Sequence, residues 1–286
     1  MAMAGSRLFA AAVVGAALTM LAACAPSAGT PSSSPSPGDG AEAAGVIAIG
    51  HSGLTGENAD PARQGQEARD QSWATGDDAA VGSIYLRMVA QNAANEGHVA
   101  NTASAGAGSD LLSAQAEEAL AEVAAPALAI IQTIDNDIRC DGTDADHVVE
   151  FGENVRAAID AVVEASPDAK ILVVSQRGRP AMVAEFLPTA AENPPAGEES
   201  CEFVNGAGEY VTANADYLTA VIEAYEAEQA RVCSEFAQCT DDRGANTTFA
   251  DTEEDLAGGD GNHLTTAGQA KMAALQWPVV AEMFGY

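Results

Sequence analysis

An α/β fold built on a mostly parallel sheet of about five strands is the class this sequence predicts. Short runs of branched apolar residues, such as Val46-Ile47-Ala48-Ile49 and Ile171-Leu172-Val173-Val174, have the length and composition of buried strands. Between such runs lie segments with apolar residues at helical spacing, as in Val148, Phe151, Val155, Ile159, Val162 and Val163. No two runs are joined by a hairpin signal, so the strands should run parallel, with crossover helices covering both faces of the sheet. The 286 residues, 47% of them apolar, suffice for one domain with a full core.

In chain order, the first strand ends in Gly50-His51-Ser52-Gly53, and a glycine- and charge-rich loop follows to Asp78. A helix is expected over 81–93, a second strand over 98–102, and a helix over 110–124 that stops before Pro126. Ala127 to Gln132 reads as the third strand, running into Thr133-Ile134-Asp135-Asn136-Asp137. The helix through Val148 and Val163 ends at Ser166-Pro167, and 171–175 is the fourth strand. A proline- and glutamate-rich excursion over 188–208 leads to a long helix over 212–232. Thr247-Thr248-Phe249-Ala250 is expected as a short fifth strand. The last helix opens with the capping-box pattern Thr266-Ala267-Gly268-Gln269 and is expected to run to about Trp277.

The N-terminus carries export signals. Arg7 precedes an apolar core, Leu8 to Met20, that is too short to span a bilayer comfortably. It ends in Leu21-Ala22-Ala23-Cys24, which resembles the lipobox of bacterial lipoproteins. That resemblance implies a signal peptide over 1–23, cleavage before Cys24, lipidation of Cys24, and anchoring to the outer face of the cytoplasmic membrane. Residues 24–44 are rich in serine and proline and read as a tether, with the domain itself over 45–286. Some 20 such residues span roughly 25 Å on average.

Four further cysteines, Cys140, Cys201, Cys233 and Cys239, form an even set in an exported chain and read as two disulfides with three possible connectivities. Pairing Cys233 with Cys239 closes the shortest loop and leaves Cys140 with Cys201. Residues six apart on a continuous helix lie too far apart to bridge, so this pairing also requires the preceding helix to break near Cys233. The spacings match no common zinc pattern.

Forty-two acidic residues against twelve basic ones give a formal charge of −30. A nucleic-acid partner is therefore excluded, because the phosphates would meet no neutralising surface. The chain is expected to act as a monomer, with a small molecule, a lipid or a glycan as its partner.

Sites in parallel sheets form at the carboxyl ends of the strands. The turns there contain Ser52, Gly106, Asn136, Arg177 and, beyond the last strand, His263. Ser52 can attack an acyl carbon if a neighbouring imidazole takes its proton. His263 is the candidate base, with Asp260 three residues earlier to orient it. The N–H of Gly106 and the amide of Asn136 are candidate oxyanion donors, each such donor typically worth about 3 kcal/mol in the transition state.

Four blocks then resemble one family in order. Gly50-His51-Ser52-Gly53-Leu54 resembles the Gly-Asp-Ser-Leu block of the SGNH (GDSL) hydrolases, and Asn101 to Leu112 their glycine block. Ile134-Asp135-Asn136-Asp137 resembles their Gly-x-Asn-Asp block, and Asp260-Gly261-Asn262-His263 their Asp-x-x-His block. The resemblance implies a flavodoxin-like three-layer α/β/α sandwich and ester hydrolysis without metal or other cofactor. It carries the nucleophile to Ser52, the base to His263, and the oxyanion hole to the Ser52 N–H, the Gly106 N–H and the Asn136 amide. Two positions depart from the pattern: His51 stands in place of the family's Asp, and Ile134 in place of its Gly.

Other readings of the same residues are weaker. Asp144-Ala145-Asp146-His147 is a second Asp-x-x-His, but it sits where a helix should begin. His51 is next to Ser52 on extended backbone, where neighbouring side chains point apart, and His98 begins a strand. The run Asp135, Asp137, Asp141, Asp144, Asp146 lacks the spacing and central glycine of a calcium loop. Arg177 and Arg179 are candidates to meet an acidic substrate group. A Gly-x-Ser-x-Gly elbow would need glycine at Leu54, and no phosphate-binding glycine motif occurs. The expected activity is an extracytoplasmic serine esterase or lipase working through an acyl-enzyme. A carbohydrate O-deacetylase is the alternative within the class. A surface lipoprotein that binds acylated glycans or lipids without turnover is the alternative outside it. Whether Asp260 is needed stays open, since a backbone carbonyl can also orient an imidazole.

Overall fold

The computed structural model describes residues 43–190, 201–257 and 262–286. The signal peptide, Cys24, most of the tether, and Asp260 with Gly261 lie outside the described residues.

Five parallel strands, β1 (Val46–Gly50), β2 (Val99–Asn101), β3 (Leu128–Gln132), β4 (Lys170–Val174) and β5 (Cys239–Asp241), form one sheet in the order β2-β1-β3-β4-β5. The order is that of flavodoxin-like doubly wound sheets, with β1 and β3 flanking the crevice where the winding reverses. Gly50 pairs with Gln132 at the carboxyl end of that central pair.

The strands' alternation sorts the core into two layers. Ile47 and Ile49 face α2 (Leu112–Glu122), α3 (Asp144–Ala165) and α4 (Thr212–Cys233), packing with Leu112, Phe151, Val155, Ile159 and Tyr225. Val46 and Ala48 face the other way, towards α1 (Ile84–Gln91) and α5 (Thr266–Phe284), with Trp73, Met88, Met272 and Val280. Being fully buried on both sides is why the central strands read as unbroken apolar runs. Ala43 already packs on this core and Ala44 N–H donates to Ala125 O at 2.9 Å, so the ordered domain reaches back into the residues assigned to the tether.

Three expectations are corrected. The fifth strand is Cys239–Asp241, and Thr247 and Thr248 of the expected strand lie in a single 3₁₀ turn, Asn246–Thr248. The polar Cys-Thr-Asp segment pairs only with β4, as an edge strand, while Phe249 is buried as a wedge between sheet and α5. The last helix passes through Pro278 and ends only at Phe284, capped by Gly285 in the left-handed region. Its buried stripe, Gly268, Met272, Gln276 and Val280, continues past the proline, so packing holds the turn that loses one hydrogen bond. Its N-cap is Thr265, whose hydroxyl accepts from Gly268 N–H at 3.2 Å. Gln269 does not complete a capping box but accepts from Trp73 N–H at 2.9 Å.

The disulfides join Cys140 to Cys201 and Cys233 to Cys239, and α4 ends at Cys233 as the short loop requires. The Asp144–His147 segment opens α3, with the Asp144 carboxylate accepting from Arg139 N–H and Cys140 N–H.

Candidate active site

The turn after β1 begins where only glycine fits. Gly50 has φ +138°, and a Cβ there would lie 1.8 Å from Gln132 O. The chain then turns through a 3₁₀ turn, Ser52–Leu54, that puts Ser52 at the sheet edge, 8% exposed. β2 ends before Gly50, which is held on that side by Ser104 N–H, donating to its O at 3.1 Å, and by the amide of Gln115 on α2. That amide accepts from Gly50 N–H at 2.7 Å and donates to Gly50 O at 3.0 Å. Gln115 lies on the buried face of α2 with Leu112, Ala116 and Ala119. A glutamine on an otherwise apolar stripe was the available sequence signal for it. Trp73 Nε1–H donates to Gly53 O at 3.0 Å and pins the far side of the turn.

His263 lies in the connection that enters α5, and its Nε2 is 2.9 Å from Ser52 Oγ. Backbone contacts set its position: Ala257 N–H donates to His263 O at 2.8 Å, and Arg177 donates to Asn262 O. Arg177 in turn pairs with Asp251 and lies over the Phe249 ring. Burial pushes the Asp251 carboxyl up, with the Arg177 charge acting against it. Arg177 thus clamps the residue before His263 instead of presenting an open charge. Arg179 pairs with Glu226, so neither arginine is an unpaired anion receptor. Glu57 was missed in the sequence, where nothing marks it. Its Oε2 lies 3.4 Å from His263 Nε2, with both side chains largely buried.

The cavity beside Ser52 holds about 40 Å³ and is walled by His51, Gly53, Gln132, Asp135, Gln176, Leu264, Gln269 and Met272, among others. Gly106 and Asn136 do not reach its walls. They line a neighbouring cavity with Ser109, Asp137 and Asn154, where Asn136 Nδ2 donates to Ala107 O at 3.1 Å. The residue of the β3 turn that faces the Ser52 cavity is Asp135, which accepts from Gln176 Nε2 at 3.1 Å. The turn itself is organised by Asp137, which accepts from Thr133 Oγ1, Ile134 N–H and Ser109 N–H. Asp260 lies outside the described residues.

A serine hydroxyl against an imidazole nitrogen, at the carboxyl end of a parallel sheet, is the arrangement of a hydrolase nucleophile and its base. The family model described as GDSL-like Lipase/Acylhydrolase matches residues 46–275. The chain belongs to this family. Solved structures similar in fold include a lipase from a goat rumen metagenome (TM-score 0.54, 12% identity, 82% of this chain and 96% of the other). They also include an extracellular lipase of Streptomyces rimosus (TM-score 0.50, 17% identity, 84% and 100%). A third is the structure of TesA (TM-score 0.50, 16% identity, 83% and 99%). A search of curated protein sequences found no match.

Within this GDSL-like chain the two departures behave differently. The family's Asp is replaced by His51, and its Nδ1 accepts from Gly53 N–H at 3.0 Å. An acceptor at this position caps the 3₁₀ turn as a carboxylate would. Because Nδ1 accepts, the neutral ring carries its proton on Nε2. Burial depresses the His51 pKa, while Asp135 and Asp137 pull it up, so the ring is neutral near pH 7. The family's Gly is replaced by Ile134, which is fully buried at φ +92°. A β-branched residue rarely adopts that conformation, and holding it there costs about 1–3 kcal/mol.

Proposed function

We propose that this protein is a serine ester hydrolase in which Ser52 is the nucleophile and His263 its base. The observation that carries the reading is the 2.9 Å contact between Ser52 Oγ and His263 Nε2. Ser52 Oγ attacks the acyl carbon as its proton passes to His263 Nε2. The tetrahedral intermediate collapses, the C–O bond to the alcohol breaks, and the departing oxygen takes the proton from His263. Water then attacks the acyl-Ser52 ester, giving its proton to His263, and collapse of that intermediate releases the acid and restores Ser52.

The oxyanion is met by the Ser52 N–H, with Gly106 N–H and the Asn136 amide as further donors. Asn136 Nδ2 has a second hydrogen beyond the one on Ala107 O. Bringing it to the oxyanion requires the β3 turn to shift when substrate binds, as catalytic contacts often tighten in the bound complex. On the Asp-x-x-His spacing, Asp260 is the proposed partner for the other nitrogen of His263. Glu57 stabilises the imidazolium formed during acyl transfer.

The reaction takes place outside the cytoplasmic membrane, with the domain held by a lipid on Cys24. The lipobox-like Leu21-Ala22-Ala23-Cys24 and two disulfides support that location. Labelling cells with a fatty-acid analogue should mark wild type and not Cys24→Ala; an unlabelled wild type refutes the anchor. The small cavity favours short acyl groups, which keeps O-deacetylation of a carbohydrate as the second reading. Hydrolysis of p-nitrophenyl acetate should fall at least about 10³-fold in Ser52→Ala with the circular dichroism spectrum unchanged. Retained turnover in that variant refutes the assignment.

A further inference from the structure

Two carboxylates stand at the catalytic pair, and among the described residues neither meets an arginine or a lysine. Glu57 Oε2 lies 3.4 Å from His263 Nε2, and this is the one side-chain contact Glu57 makes among those residues. Its side chain keeps 21% of its surface. Asp135 is half-buried on the wall of the Ser52 cavity, where its carboxylate accepts only from the neutral amide of Gln176, at 3.1 Å. A carboxylate drawn partly out of water costs free energy unless an opposite charge meets it, so two of them at one site mark a place for a cation.

The basic side chains that could serve are engaged elsewhere. Among the described residues of the cavity wall, Asp135 is the only carboxylate and Arg177 the only arginine or lysine. Arg177 is held by Asp251 and by Asn262 O, which offsets its charge. Arg179 pairs with Glu226, and Lys271 with Asp255. The formal charge of −30 adds little to the preference at the site, because charges more than about 10 Å apart are largely screened at 0.1 M salt. Selection therefore falls to Glu57 and Asp135.

The reach of Glu57 follows from the reaction. The departing alcohol oxygen takes its proton from His263 Nε2, so it must come within a hydrogen bond of about 3 Å of that nitrogen. Adding the 3.4 Å from Nε2 to Glu57 Oε2 places the departing oxygen within about 6.4 Å of the carboxylate. A charged nitrogen two carbons beyond that oxygen comes within pairing range of Glu57. The same group on the acid side of the ester has no such constraint.

Building on the serine-esterase reading, we propose that Glu57 and Asp135 select esters whose alcohol part carries a positively charged amine two carbons from the ester oxygen. Glu57 pairs with the amine as the alcohol departs, and Asp135 adds to the negative potential of the cavity. The same two groups turn away an alcohol part that bears a phosphate or a carboxylate.

The test compares acetylcholine with 3,3-dimethylbutyl acetate, which share one shape and one acetyl group and differ by nitrogen against carbon. The readout, on the full-length protein, is the ratio of their kcat/KM values divided by the ratio of their alkaline hydrolysis rates. Both esters load the same acetyl group on Ser52 through the same imidazolium, so help that Glu57 gives His263 cancels in the ratio. Fluorophosphonate labelling of Ser52 is measured in parallel. The proposal expects a corrected ratio of at least about 10 in wild type. Glu57→Gln should lower it at least about fivefold and Asp135→Asn at least about twofold, each without loss of labelling. A wild-type ratio near 1 overturns the proposal, as does a protein that labels on Ser52 yet hydrolyses neither ester. A high ratio that survives in Glu57→Gln overturns it too, and one that survives in Asp135→Asn alone overturns the part given to Asp135. Failure to label Ser52 at all instead overturns the esterase reading beneath it.

Discussion

The turn after β1 and the turn after β3 stand side by side across the winding reversal, and each replaces one family residue. At the first, His51 takes over the role of the residue it replaces, because the turn needs an acceptor for Gly53 N–H and an imidazole nitrogen is one. The nucleophile geometry is intact, with Ser52 2.9 Å from His263. At the second, Ile134 supplies nothing that a glycine offers there. It sits at φ +92°, and the following Asn136 is bonded to Ala107 O outside the Ser52 cavity. The first substitution preserves a hydrogen-bonding role, whereas the second opposes the backbone's preferred conformation and is followed by an asparagine that lines a different cavity.

Four variants break or sharpen that contrast. The largest effect is expected at the junction of the two turns. Gly50→Ala drives a Cβ into Gln132 O and should destabilise by more than about 4 kcal/mol, leaving little soluble protein. Near-native thermal stability would show that the turns are less tightly joined than the geometry says.

Next comes a pair at the β3 turn. Ile134→Ala keeps the positive φ and loses the buried side chain, and should cost about 2–5 kcal/mol in urea unfolding. Ile134→Gly loses the same burial but relieves the backbone, and should be about 1 kcal/mol more stable than the alanine variant. The reverse order, as expected in ordinary extended or helical backbone, would mean that Ile134 is not strained.

The third concerns the charge state of His51, whose pKa burial holds below its ordinary 6.5. As pH falls through 6.5 the unfolded chain takes up a proton that the folded chain refuses, so stability is lost in that window. The loss has a limiting slope of about 1.4 kcal/mol per pH unit. His51→Asn caps Gly53 N–H without titrating there, and its thermal midpoint should fall less between pH 6.5 and 5. Parallel curves for the two proteins would contradict a buried neutral imidazole.

The smallest effect belongs to Glu57, whose side chain keeps 21% of its surface exposed and lies 3.4 Å from His263. Glu57→Gln should lower kcat by less than about tenfold, in keeping with a carboxylate that only assists the imidazolium. A loss comparable to that of Ser52→Ala would make it an essential group.

Much of the sheet was legible because buried parallel strands leave unbroken apolar runs, as in β1, β3 and β4. β5 was not, because an edge strand pairs on one side only and needs no apolar run; Cys239-Thr240-Asp241 reads as a turn. α5 was cut short at Pro278, since proline weighs heavily in a local reading and the buried stripe that outweighs it is a tertiary fact. Ser52 and His263, which lie 2.9 Å apart, were picked out by their places after strands and by their chemistry. Glu57 was not, because no spacing links it to a histidine 206 residues later. Gly106 and Asn136 were picked from their places in the turns after strands and from block order, and neither reports which way a turn faces.

The central claim, that Ser52 is an activated nucleophile served by His263, is tested most directly by a fluorophosphonate. The reagent should add one phosphonyl group to the wild-type protein, located by peptide mass to the segment containing Ser52. Labelling should be absent in Ser52→Ala and slowed at least about 10³-fold in His263→Ala. A wild-type protein that stays unmodified, or that is modified equally fast without His263, would contradict the account.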